Sequence, residues 1–146
     1  MVTTSPESVE VAARLRLAIA RTARRLRQEA GGDLSPSLTA ALATVGNHGP
    51  LTPSEVAERE RVQRPTATRI IGRLVDAGLA ARTADPADGR VSLVSATPKG
   101  QALLRSLRVR RNAYLARRLR DLEPEEVATL DRAAEILERL LERDSA

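Results

Sequence analysis

Between Gln63 and Arg90 the chain gathers the side chains best equipped to meet an anion. Arg64, Pro65, Thr66, Thr68, Arg69 and Arg73 follow one another closely, and Arg90 ends the loop Ala84-Asp85-Pro86-Ala87-Asp88-Gly89-Arg90. A guanidinium presents a planar pair of N–H donors that fits two phosphate oxygens or the O6 and N7 edge of guanine. Threonine hydroxyls serve either surface, or satisfy a nearby backbone group. At ~100° per residue, Ala67, Ile70, Ile71, Leu74 and Val75 share one face; Pro65, Arg69, Gly72, Arg73 and Asp76 fall opposite, with Thr66 and Thr68 on the flanks. This division predicts a helix over 64–77 that buries one side and offers a basic, small-residue side to a groove of duplex DNA. Asp88 is expected to orient the loop arginine rather than touch nucleic acid, because phosphate repels a carboxylate.

Little else in the chain points to chemistry. The absence of cysteine excludes disulfides, thiolate metal sites and a cysteine redox switch. His48 is the single histidine and sits in the loop Gly46-Asn47-His48-Gly49-Pro50, where one imidazole without clustered carboxylates holds no metal. It has no evident nucleophile partner, and no glycine-rich phosphate loop follows a strand, so neither catalysis nor a cofactor is expected. No apolar run approaches the roughly 20 residues that span a bilayer, and no signal-peptide pattern opens the chain, so a cytoplasmic protein is expected.

The formal charge of +5 and a pI near 11.0 favour an anionic partner. Arginine carries almost all of the positive charge. Lys99 is the only lysine, a bias that a GC-rich genome explains as readily as a demand for bidentate hydrogen bonds. Arginines crowd residues 14–27 and again 105–120, whereas the tail beyond Asp121 is rich in glutamate. The later block is read as a helix side facing solvent or the acidic terminal helix, in preference to a second DNA surface. Glu123, Glu125, Glu126, Glu135, Glu138 and Glu142 are its expected partners across a dimer, each exposed pair contributing little.

The elements that must position these residues follow from periodicity and caps. With 42% hydrophobic residues but only 1% aromatic, the core must be aliphatic. Val11, Leu15, Ala18, Ile19, Thr22 and Leu26 mark one face of a helix from Glu7 to Gln28, ended by Gly31-Gly32. Ser35 and Pro36 open a second helix through Leu38, Leu42 and Val45. Thr52-Pro53-Ser54-Glu55 is a capping box for a short third helix ending near Glu60. Gly78 stops the basic helix. Strands are expected at 79–83 and 91–96, joined by a projecting loop with Asp88-Gly89 as its turn. Thr97-Pro98 starts a long helix reaching Leu119, and Pro124 a last one bearing Val127, Leu130, Ala134, Leu137, Leu140 and Leu141.

The chain is therefore expected to be mainly α (α+β): a winged helix-turn-helix over 35–100, flanked by helical segments at 1–34 and 101–146. The flanking helices carry more apolar face than the middle can cover. At roughly 25 cal/mol per Å² of apolar surface, that excess favours pairing with a second copy.

This order of elements resembles the MarR family of bacterial transcriptional regulators over nearly the whole chain. The resemblance is carried by RPTATRIIGRLVDAGL at 64–79, DPADGR at 85–90 and TPKG at 97–100. It implies a homodimer with interlocked terminal helices that binds a pseudo-palindrome, each basic helix entering a major groove and each Arg90 the flanking minor groove. Two departures stand out. Arg61 and Gln63 replace the glycine and serine common before the recognition helix, and Gly89 replaces a common second wing arginine.

Three functions remain open on these residues. The first is a dimeric repressor released by a small aromatic or hydrophobic effector, with Tyr114 either a residue of the effector pocket between the dimer helices and the winged module or a packing residue; the second is a DNA-binding protein without an effector. The third is a basic helical module that binds acidic protein or a membrane surface, which has no need of a wing. Family pockets often have aromatic walls; here leucine, valine and arginine would have to receive a small aromatic anion.

Overall fold

The computed structural model describes residues 5–144; residues 1–4 and 145–146, the outer ends of the two terminal segments, lie outside the described residues. The described chain runs α1 (Pro6–Ala30), α2 (Pro36–His48), α3 (Pro53–Glu60), α4 (Arg64–Asp76), β1 (Ala80–Ala84), β2 (Ser92–Ala96), α5 (Pro98–Leu119) and α6 (Pro124–Asp144). Proline stands in the first turn of α1 to α5, where its missing N–H costs nothing and its fixed φ suits the helix. Ser5, Ser35, Thr52 and Thr97 cap their helices through side-chain oxygens. The Thr52 capping box is complete: Thr52 Oγ1 accepts from Glu55 N at 3.2 Å, and Glu55 Oε2 accepts from Thr52 N at 2.8 Å.

The mainly helical winged helix-turn-helix expected from the sequence is the fold observed, with small shifts at the element ends. Gly46 to His48 belong to α2, which closes only where Gly49 N donates to Val45 O at 2.8 Å. Each strand begins one residue later than expected. Leu79 N turns back to Leu74 O at 2.9 Å and Val91 N to Asp88 O at 3.0 Å, so both residues spend their N–H groups on turns, while their carbonyls still accept across the hairpin from Thr97 N at 3.0 Å and Asp85 N at 2.8 Å. β1 and β2 pair antiparallel from Ala80 opposite Ala96 to Ala84 opposite Ser92. Periodicity gave no hint of the bridge between Leu51 and Val94, with N–O distances of 3.0 and 2.7 Å, which ties the entry to α3 onto the sheet.

The core sits among α2, α3, α4 and β2. Leu42, Val45, Val56, Ile71, Leu74 and Val94 are its largest fully buried side chains, and Ala41, Ala57 and Ala67 let the helices approach closely. Outside this module α1 lies along α5, where Ala30 and Leu107 are buried. Much apolar surface is left in water: Val9, Val11, Leu15, Leu17 and Ile19 on α1, Val109 and Leu115 on α5, and Leu130, Ile136, Leu140 and Leu141 on α6.

Gly100 joins the two parts. Buried in the first turn of α5, it lies so close to Leu79 that a Cβ would overlap the Leu79 carbonyl oxygen and press on Leu42 Cδ1 at 3.2 Å. A backbone carbonyl cannot swing aside as a side chain can. Gly100→Ala is therefore expected to lower stability by about 1–3 kcal/mol, the usual range for overpacking. Thermal unfolding followed by circular dichroism checks this, with Gly89→Ala, whose Cβ would meet nothing within 4 Å, as the neutral control.

Candidate nucleic-acid interface

The basic helix divides as its periodicity demands. Ala67, Ile71 and Leu74 are fully buried, with Ile70 and Val75 partly so, while Arg64, Pro65, Thr68, Arg69, Arg73 and Asp76 are exposed. Thr66 is half-buried and faces sideways. With Arg69 and Arg73 it lines a shallow groove against Ser35, Ser37 and Leu38 at the start of α2. Gln63 caps α4 without a side-chain hydrogen bond, so Pro65 and the backing core set the start of the helix. Arg61 takes the left-handed conformation, φ 53°, in the tight turn between α3 and α4, and its N–H closes α3 on Glu58 O at 3.2 Å. That is the conformation glycine adopts most cheaply, so arginine holds this turn at some backbone strain. The turn is held from behind by the Thr44 hydroxyl, which donates to the Glu60 carboxylate.

The arginines of the outer face keep their full charge toward solvent. Among the described residues the ion pairs are Arg25 with Glu29, Arg90 with Asp88 and Arg132 with Glu135, so no carboxylate neutralises Arg64, Arg69 or Arg73. Arg82 joins them unexpectedly: its Nη2 would stand 3.9 Å from a Cβ built at Gly72, over the outer face of α4. Its only trace in the sequence is a lone charge in the small-residue strand Ala80-Ala81-Arg82-Thr83-Ala84.

The wing is a built loop. Asp85 Oδ1 accepts from Ala87 N at 2.8 Å, and Asp88 Oδ1 accepts from both Arg90 N at 3.1 Å and Arg90 Nε at 3.3 Å. The Arg90 side chain is 93% exposed, so the carboxylate aligns the guanidinium without covering it.

Behind the interface lies a cavity of about 800 Å³ between α1, the start of α2, the end of α4 and α5. Its cationic walls are Arg24, Arg27, Lys99, Arg110 and Arg111, its apolar ones include Leu34, Leu79, Leu103 and Leu107, and Asp33 is its one carboxylate. No carboxylate among the described residues pairs with any of the five cations. Arg111 Nε is also buried without an acceptor.

Tyr114 is not among the residues that line this cavity. α5 turns it toward α1 instead, where its hydroxyl accepts from Arg25 Nε at 3.2 Å and its ring lies 5.8 Å below the Arg118 guanidinium. The Arg105–Arg120 block makes no ion pair with α6 among the described residues; Arg110 Nη1 donates to Ala30 O at 3.0 Å. His48 is exposed, and no group of His, Asp and Glu suited to a metal occurs among the described residues.

The family model described as MarR family matches residues 34–92, the segment that holds the helix-turn-helix and wing. An uncharacterized helix-turn-helix transcriptional regulator of Mycobacterium bovis is 38% identical over 133 residues, covering 90% of this chain and 93% of that one. The chain belongs to the MarR family. As a MarR-family protein it is a transcriptional regulator, a class that is not enzymatic. A crystallised Pseudomonas aeruginosa protein assigned to the transcriptional regulators superposes with a TM-score of 0.84 at 31% identity, over 94% of this chain and 97% of its own. The transcriptional repressor MdtR of Bacillus subtilis is 35% identical over 94 residues, 64% of this chain and 61% of that one.

The placement of Tyr114 has a measurable consequence. The hydrogen bond from Arg25 holds its pKa below the usual tyrosine value, Arg118 acts in the same direction, and partial burial opposes them. A depressed pKa means that the ionised form favours the folded state. Its contribution is complete above the unfolded value of ~10 and is lost as pH falls through the folded one. With one tyrosine and no tryptophan, near-ultraviolet absorbance reports this group alone. Titration is expected to give a midpoint below ~10, and Arg25→Ala to move it upward.

Proposed function

We propose that this regulator is a homodimeric repressor that reads a pseudo-palindromic operator and is released by a small aromatic or hydrophobic anion. In this reading residues 35–100 meet the DNA, and the terminal segments 1–34 and 101–146 pair with those of a second copy. One observation carries it: α4 presents unneutralised Arg64, Arg69 and Arg73 on a stripe whose other side is sealed in the core, with Arg90 projecting alongside. Arg69 and Arg73 read base edges in the major groove. Arg64, Pro65, Thr66 and Thr68 position the helix on the backbone, and Arg90, aligned by Asp88, enters the minor groove. Twofold symmetry sets the half-sites about one helical turn apart.

The apolar faces left open on α1, α5 and α6 support pairing of two copies, since so many exposed large aliphatic side chains are unusual for a monomer. The repressor reading draws on MdtR. The effector reading draws on the cavity, whose volume suits a small ligand and whose cations pair with no carboxylate among the described residues. No described helix is long and apolar enough to cross a membrane, and a module docking on acidic protein or lipid has no use for an ordered wing. A cytoplasmic site of action fits this reading.

Selection of bound fragments from genomic DNA is expected to return inverted repeats. Arg69→Ala or Arg73→Ala should erase the preference for the selected site over random duplex, a loss of about 1–3 kcal/mol for each bidentate contact. Arg90→Ala should weaken binding to all sequences alike and reduce the salt slope by about 1. Unchanged preference in both helix variants would refute the assignment of the reading face. Sedimentation at micromolar concentration is expected to show a dimer, and a monomer there would contradict the pairing of the terminal helices.

A further inference from the structure

The cavity and the DNA-facing helix share one side chain. Lys99 Nζ donates to Ala77 O at 3.0 Å, and beside it Thr97 Oγ1 donates to Gly78 O at 2.6 Å. Both carbonyls belong to the C-terminal end of α4, Ala77 being its C-cap. An ammonium there satisfies an orphan carbonyl and complements the negative end of the helix dipole. The same Lys99 lines the cavity next to Ala77 and Leu79.

Further along α5, Leu103, Leu107 and Arg110 follow at helical spacing and line the same cavity. The wall they form is cationic at both ends and apolar between, about 16 Å long at 1.5 Å per residue. Each end cation is tied to a helix C-terminus: Lys99 to that of α4, and Arg110 to Ala30 O, the last residue of α1. Lys99 is also the one basic position of the chain where arginine is not used. A general preference for arginine does not explain it, whereas a compact ammonium on a flexible stem suits a single carbonyl reached from the side.

We infer that Lys99 is the relay by which an organic anion in the cavity acts on the DNA-facing helix. The inference rests on the proposed anion reading of the cavity. An anion offers the ammonium a charge-assisted bond stronger than its bond to a neutral carbonyl. When Lys99 swings to it, the end of α4 loses its cation and one of its two tethers to α5, leaving Thr97 alone. The helix that must lie rigidly in the groove is loosened at the end nearest the cavity. By linkage, DNA that holds α4 in place also keeps Lys99 on Ala77 and weakens anion binding.

A chain with one lysine supplies its own reporter. In the full-length protein labelled with ¹³C,¹⁵N-lysine, Lys99 gives a single side-chain ammonium signal. 1-Naphthoate, an aromatic carboxylate, serves as the probe. Naphthoate is expected to shift that signal and to lower affinity for the tightest selected DNA fragment by about tenfold or more. Lys99→Met should still bind naphthoate by calorimetry, through the cavity arginines, yet lose less than about twofold in DNA affinity when it is added. Lys99→Gln, which keeps a donor without the charge, is expected to behave likewise and stands in should the methionine variant fold poorly. If either folded variant loses DNA affinity to naphthoate as fully as the wild type, the relay is wrong and the cavity reading survives. Naphthoate that neither binds the wild type nor shifts its lysine signal overturns both.

Discussion

The aliphatic seam behind α4 governs the rest of the molecule. Ala67, Ile71 and Leu74 are removed from water where α4 packs on α2, α3 and β1, in a core that contains no Phe or Trp to fill space. Small and branched side chains close such a seam only if the helices come near one another, which Ala41 and Ala57 allow. The cost of a wrong angle is then a void, and voids in a core lose dispersion contacts outright. A helix held in this way cannot roll, so its arginines point where the seam dictates.

That rigidity lets like charges be gathered on one side. Arg64, Arg69 and Arg73 gain nothing from internal pairing, and their repulsion is borne by hydrophobic contacts beneath them. The cavity repeats the arrangement, with cations fastened to backbone carbonyls in place of carboxylates. Carbonyls orient a cation while leaving its net charge intact, whereas an aspartate in the same place would cancel it. Neither the α4 arginines nor the cavity cations pair with a carboxylate among the described residues.

The sequence disclosed most where local chemistry decides. Ser35-Pro36, Thr52-Pro53 and Thr97-Pro98 each announced a helix start to the residue, because a capping oxygen and a preset φ act without help from distant parts of the chain. The buried and exposed faces of α4 were equally legible from periodicity. What escaped was non-local. Nothing near Leu51 marks its bridge to Val94, and nothing near Arg82 reveals that the strand returns it over Gly72. The hydrogen bond between Tyr114 and Arg25, 89 residues apart, was equally out of reach of local pattern. Strand ends slipped by one residue because Leu79 and Val91 spend their N–H groups on turns.

Gly89 at the wing tip touches nothing: a side chain there would enter open solvent, and its backbone is not in the left-handed region that favours glycine. No folding requirement therefore holds the position. A single base change in a glycine codon can install arginine beside Arg90, adding a second exposed cation to the wing tip at negligible cost to the fold. If site choice rests on α4, as proposed, the strength of its grip on the genome can drift over generations independently of which sites it prefers.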